Sequence, residues 1–326
     1  MSWPVVVLLF VAPAIGEALS GSSPPVAFFN PVILLYQAGL YGSGAILARE
    51  LIRRRGLGWS NLLILGAAYG VLEEALVVQS WFDPYWPDAH ALGSNGRFLD
   101  TNWIWATALT IFHSVFSITI SVLLVETAFR DERPWLRNWA LWFFVAVLTA
   151  VSLYGFYGFG FVTFKKQGYT HPPATWLGAL LLAVALVWLG LRRRSRPTPA
   201  SVQPPPGLWS LRLTALVLTL LWFIGLWVIP SWIHVGIVPV VELALVAVTA
   251  AVLLKSWSSR PGWDRRHRLA LASGALAFLI AFTPVAEAGG KRGMVLVGLG
   301  FLGLLVWLRH RAETVLPDDR LAAAEV

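Results

Sequence analysis

The chain has 326 residues, of which 57% are hydrophobic and only 13% charged, with a net charge of +8 and no cysteine. This composition excludes a soluble globular or disordered chain, and the missing thiols exclude disulfides, thiol catalysis and cysteine-ligated zinc. Repeated apolar runs of about 18 or more residues, without the alternation of a β-barrel, predict an all-α polytopic membrane bundle.

Ten spans are expected over residues 3–19, 31–51, 60–82, 101–127, 139–160, 175–191, 209–229, 236–254, 267–283 and 293–308. The first lacks a basic leader and closes on Glu17, so it reads as a helix rather than a signal peptide. The second carries Gly39, Gly42, Ser43 and Gly44, a small-residue face for close helix packing, and ends in Arg49 and Glu50, which can snorkel or pair.

The third span carries adjacent carboxylates, Glu73 and Glu74, in an apolar stretch running from Gly66 to Trp86. An acidic group at the centre of a membrane helix costs roughly 2.5–3.5 kcal/mol, so a tandem pair points to a site. Tyr69 and Ser80 fall on the face of Glu73. The plainer reading is a structural pair neutralised by Arg49 or by a neighbouring hydroxyl.

The fourth span carries His113, with Asn102 and Ser117 near its face. Counting helical residues inward from Asp83 and Thr101 puts Glu73 and His113 at one depth, about 15–18 Å below one surface. A carboxylate pair and a histidine at one level can hold a water molecule for acid–base chemistry, or a divalent metal. Nothing in the sequence requires a cofactor. Glu126 reads as interfacial, and Glu17, His234, Glu242 and Glu287 as interfacial or loop groups at the mouth of such a site.

With the N-terminus inside, 20 of the 25 basic residues fall on the cytoplasmic side and 5 on the other. This bias explains the positive charge without a nucleic-acid partner and predicts a multi-pass plasma-membrane protein with both termini cytoplasmic. Residues 192–208 read as a basic, proline-rich cytoplasmic linker. They divide a polar-site membrane domain (1–191) from four plainer helices (209–308), followed by a tail (309–326).

A Glu-Glu pair in one span with a histidine in the next resembles the CAAX-protease and bacteriocin-processing superfamily of intramembrane glutamic proteases. Glu73 and Glu74 match its EExxxR pair, with Val78 in place of the arginine, and His113 matches its FxxxH, with Leu109 in place of the phenylalanine. The best candidate for its third motif is His234, with Val238 at the expected asparagine. The GAAYGxxEE and HxxxSI segments are also similar to those of uncharacterised bacterial membrane proteins. The resemblance implies a membrane-embedded hydrolase with Glu73, Glu74 and His113 as its catalytic groups, acting on a peptide or small molecule. A transporter or proton-coupled permease built on the same carboxylates is the alternative, and a structural or partner-binding membrane protein a third.

Overall fold

The structure is a computed structural model describing residues 2–158, 173–192 and 203–313. Among the described residues, ten long helices follow one another: α1 (Trp3–Leu19), α2 (Pro31–Arg54), α3 (Trp59–Val77), α4 (Trp103–Phe129), α5 (Asn138–Gly158), α6 (Pro173–Arg192), α7 (Leu208–Trp232), α8 (Ile237–Ser258), α9 (Arg265–Ala288) and α10 (Met294–Glu313). Among the described residues, nine are long and apolar enough to cross a membrane, and α1 is shorter. The chain is an all-α polytopic helical bundle.

Local chemistry sets several helix starts. Asn30 accepts from the amides of Val32 (3.0 Å) and Ile33 (3.4 Å), with Pro31 at the first helical position of α2. Asn102 does the same for α4, accepting from the amide of Trp105 at 3.1 Å. Asp264 opens α9 in a reciprocal cap with His267.

Helix α3 is packed closely because its neighbours meet it at small residues. A side-chain carbon on Gly70 would stand 3.0 Å from the Cβ of His113, and one on Gly66 would stand 2.8 Å from the Cα of Ser114. Gly44 of α2 leaves room for the Tyr69 ring, and Gly190 of α6 for Leu65. Such contacts let helices approach in lipid, where apolar burial gives little drive to associate.

The apolar core draws on helices from both halves of the chain. Phe112 of α4 stacks on Phe116 and on Trp222 of α7, at 5.1 and 5.7 Å between centroids, and the Trp222 indole donates to the Ala108 carbonyl at 3.0 Å. Leu276 and Phe301 belong to the same buried cluster. By contrast, Trp142, Leu181, Leu245 and Leu299 are exposed, as a lipid-facing rim requires.

The two ends of the bundle differ. At one end the fully buried Arg49 donates to Glu126 at 2.9 Å and to the carbonyls of Asp131 and Arg133, both at 3.0 Å. Its guanidinium lies 3.2 Å from the centre of the Trp135 ring. Glu50 accepts from the amides of Trp135 and Leu136 at 3.0 and 3.1 Å. Glu126, read as interfacial, is a buried ion-pair member at this end, because α4 is clasped there by α2 and by the 130–137 loop.

At the other end the expected third span is cut short. Helix α3 ends at Val77, and the chain from Val78 to Asp83 stays buried without being helical. A short antiparallel pair, β1 (Arg97–Phe98) with β2 (Thr101–Asn102), then leads into α4. The depth count from Asp83 therefore assumed helical rise through residues that fold back. The expected linker and tail lie largely outside the described residues.

Candidate functional site

Four helices change winding where they meet. Wider π turns occupy Ala14–Leu19 of α1, Ala38–Gly42 of α2, Leu72–Val77 of α3 and His113–Ile120 of α4. Such turns are rare and recur at functional sites, because an inserted residue redirects side chains and relaxes the ordinary backbone ladder. The four turns carry Glu17, Tyr41, Glu73 with Glu74, and His113 with Ser117.

These residues share one level. Glu17 lies 14 residues from Trp3, Tyr41 13 from Arg54, Glu73 14 from Trp59 and His113 16 from Phe129. At about 1.5 Å per residue, each stands about 20–24 Å from the arginine-rich end. The cluster thus lies nearer the β1–β2 hairpin than the arginine-rich end of these helices.

His113 is held between two carboxylates. Its Nε2 faces Glu74 Oε1 at 3.0 Å and its Nδ1 faces Glu73 Oε2 at 3.1 Å, with Ser117 Oγ also 3.1 Å from Nδ1. His113 is 1% exposed, Glu73 4% and Glu74 7%, so Glu74 is the most open of three nearly enclosed groups. The Tyr41 hydroxyl lies 2.5 Å from Glu17 Oε1 and in hydrogen-bond contact with Glu73 Oε1. On the far side, Ser80 Oγ donates to the Glu74 carboxylate and accepts from the Trp105 indole at 3.0 Å.

The result is two hydrogen-bonded runs, Glu17–Tyr41–Glu73 and Ser117–His113–Glu74–Ser80–Trp105, which meet at the 3.1 Å charge contact between Glu73 Oε2 and His113 Nδ1. Aromatic rings wall them in. Tyr69 stands 5.9 Å from His113 and 5.7 Å from Tyr41, and Phe112 meets the imidazole edge-on at 5.5 Å. Three carboxyls and one imidazole in an enclosed site favour proton transfer or a bound cation over an anionic ligand. Glu73, Glu74 and His113 offer ligand atoms within 4.8 Å of one another, close enough to hold a divalent ion instead of the hydrogen bonds.

Several residues singled out in the sequence stand elsewhere. Asn102 does not join the cluster, because α4 begins after it and its side-chain oxygen caps that helix. Arg49 neutralises Glu126 at the opposite end, not the glutamate pair. His234 is exposed, and with His90 it lines a groove beside the hairpin. Glu242 lies against Gly225, where a side-chain carbon would collide with its carboxylate, and Glu287 accepts from the amide of Val295 at 2.7 Å.

Sequence reasoning passed over Tyr41 and Trp105 and assigned Glu17 to the mouth. A small signal was available for Tyr41. A side-chain carbon on Gly16 would stand 2.6 Å from its ring, so the glycine beside Glu17 is what admits the tyrosine.

A family model described as "Uncharacterized membrane protein family" matches residues 6–313, and the chain belongs to that family. No curated protein and no solved structure matches the chain.

Proposed function

We propose that this member of an uncharacterized membrane protein family is a membrane-embedded hydrolase that cleaves a peptide bond with an activated water molecule. The observation that carries the reading is the clasp of His113 between Glu73 and Glu74, at 3.1 and 3.0 Å, within π turns deep in the bundle. Glu74 is the general base. It takes a proton from water as the water oxygen attacks the substrate carbonyl, then returns a proton to the leaving nitrogen as the carbon–nitrogen bond breaks. His113 orients the water and stabilises the developing oxyanion. Tyr41 and Glu17 extend the proton path away from the reacting atoms. The likeness to intramembrane glutamic proteases supports this assignment through the glutamate pair and the histidine. A divalent ion held by the same three residues would polarise the water instead.

A proton-coupled carrier is the second reading. The observation that favours it is the row of titratable groups Glu17, Tyr41, Glu73, His113 and Glu74 in close contact, which would hold and pass protons as readily as it would serve a water.

The test compares membranes carrying the protein or Glu74→Gln, incubated in ¹⁸O-labelled water and searched for new peptide ends by mass spectrometry. Peptide carboxyls bearing ¹⁸O are expected only with the unaltered protein, while Glu74→Gln melts no lower, since it removes a desolvated charge. Persistence with a chelator present selects the hydrogen-bonded site over the metal. New ends that survive both Glu74→Gln and His113→Ala, or a complete absence of them, reject the hydrolase. Proton-driven solute uptake abolished by Glu74→Gln would then establish the carrier.

A further inference from the structure

The Gln79 backbone is used by the turn after α3, where its carbonyl accepts from the amides of Phe82 and Asp83 at 3.0 and 3.1 Å, but its side chain is not. It sits in the buried stretch after α3, is 0% exposed, and has a φ of 60°, in the left-handed region that favours glycine. Neither its amide nitrogen nor its amide oxygen has a hydrogen-bond partner. Buried amides without partners and left-handed non-glycine residues both cost stability, and they persist where a site uses them.

Its neighbours tie it to the glutamates. The Val78 amide donates to the Glu73 carbonyl at 2.8 Å, and Ser80 Oγ donates to the Glu74 carboxylate. Gln79 thus follows the residue that closes α3 on the Glu73 backbone and precedes Ser80, which touches the Glu74 carboxylate.

We propose that Gln79 grips the peptide group of the substrate, so that the site takes an unwound stretch of polypeptide. A primary amide presents one acceptor and donors side by side, and the group that complements both at once is a neutral secondary amide. An anionic ligand is opposed by the carboxyls of Glu17, Glu73 and Glu74, and a cation would leave the Gln79 nitrogen unmatched. A helical membrane segment has its own N–H and C=O groups already bonded. Unwinding it for cleavage bares one of each in a place without water, at a heavy cost unless protein groups replace them. Gln79 supplies both replacements. The inference rests on the hydrolase reading for its purpose, but its test uses binding alone.

The probes are N-acetyl-trileucine methylamide and its analogue with the central peptide N–H replaced by an ester oxygen, titrated against the detergent-solubilised Glu74→Gln protein. The peptide is expected to bind about tenfold or more tightly than the ester. Adding Gln79→Leu should weaken the peptide to the level of the ester and abolish the difference between them. That variant keeps the side-chain volume and removes two unpaired polar atoms, so its melting temperature should rise. Equal binding of peptide and ester without the Gln79 change overturns the proposal, as does failure of the peptide to bind. A Gln79→Leu protein that melts lower yet still discriminates the two assigns Gln79 a structural role. Amide-selective binding by a protein that cleaves nothing would sink the hydrolase reading while leaving this one standing.

Discussion

The Tyr41 hydroxyl bridges two carboxyls on different helices, 2.5 Å from Glu17 of α1 and in contact with Glu73 of α3. One hydroxyl carries one proton and cannot donate to two ionised acceptors, so this bridge shares a second proton. His113 likewise faces a carboxylate through each ring nitrogen. Glu17, Tyr41, Glu73 and His113 thus bring titratable groups of four helices into direct contact.

Tyr41→Phe isolates that bridge. The ring keeps its place beside Gly16 and Tyr69. Losing the hydroxyl leaves two buried carboxyls each short of a partner, which costs about 1–3 kcal/mol of stability. Cleavage should fall further, on the order of 10²-fold, because a relay group contributes through proton transfer. Appearance of ¹⁸O-labelled peptide ends measures the rate, and an unchanged rate in a folded Tyr41→Phe protein removes the relay from the mechanism.

The arginine-rich end makes a separate stability claim. Arg49 is fully buried and serves Glu126, two backbone carbonyls and the Trp135 ring, while Arg53 also donates to Glu126 at 2.8 Å. Breaking one member of a buried ion pair strands the other, at a cost of about 3–5 kcal/mol. Arg49→Met is therefore expected to lower the melting point steeply. Combining it with Glu126→Gln should recover part of the loss, since the two positions are coupled. A drop below about 1 kcal/mol in the single variant would show that Arg53 alone holds α4 to α2.

Much of this architecture is legible in the sequence, and the unread parts share one cause. Apolar length marks the spans because lipid demands it. Glu73, Glu74 and His113 stand out because each is expensive there. Tyr41 does not, since a tyrosine among Gly39, Gly42 and Gly44 looks like ordinary packing. Regular helical periodicity also cannot anticipate π turns, which shift every residue beyond them to a new face. The fold-back at Val78–Asp83 is hidden because Val77, Val78, Trp81 and Phe82 keep the segment apolar past the end of α3. Gln79 and Ser80, the polar residues that interrupt this run before Asp83, read in sequence as tolerated exceptions.

The last expectation concerns which face of the membrane each end of the bundle meets. Direct contacts gather basic residues at one end: Arg130 donates to the Arg311 carbonyl, and both Arg53 and Arg268 reach Glu132, at 3.3 and 3.4 Å. Arg97 and Lys291 lie at the other, where Lys291 donates to the Gly21 carbonyl at 2.8 Å and Arg97 to that of Phe82 at 2.8 Å. The sequence count of 20 basic residues against 5 predicts that the arginine-rich end faces the cytoplasm. The Glu–His cluster then lies nearer the outer surface, and the Gln79 loop faces outward. A reporter active only in the cytoplasm, fused after Arg196, should give signal, and one active only outside should give signal when inserted near Gly93. Reversed signals at both positions would turn the molecule over, and substrate would then have to reach the cluster from the cytoplasmic side.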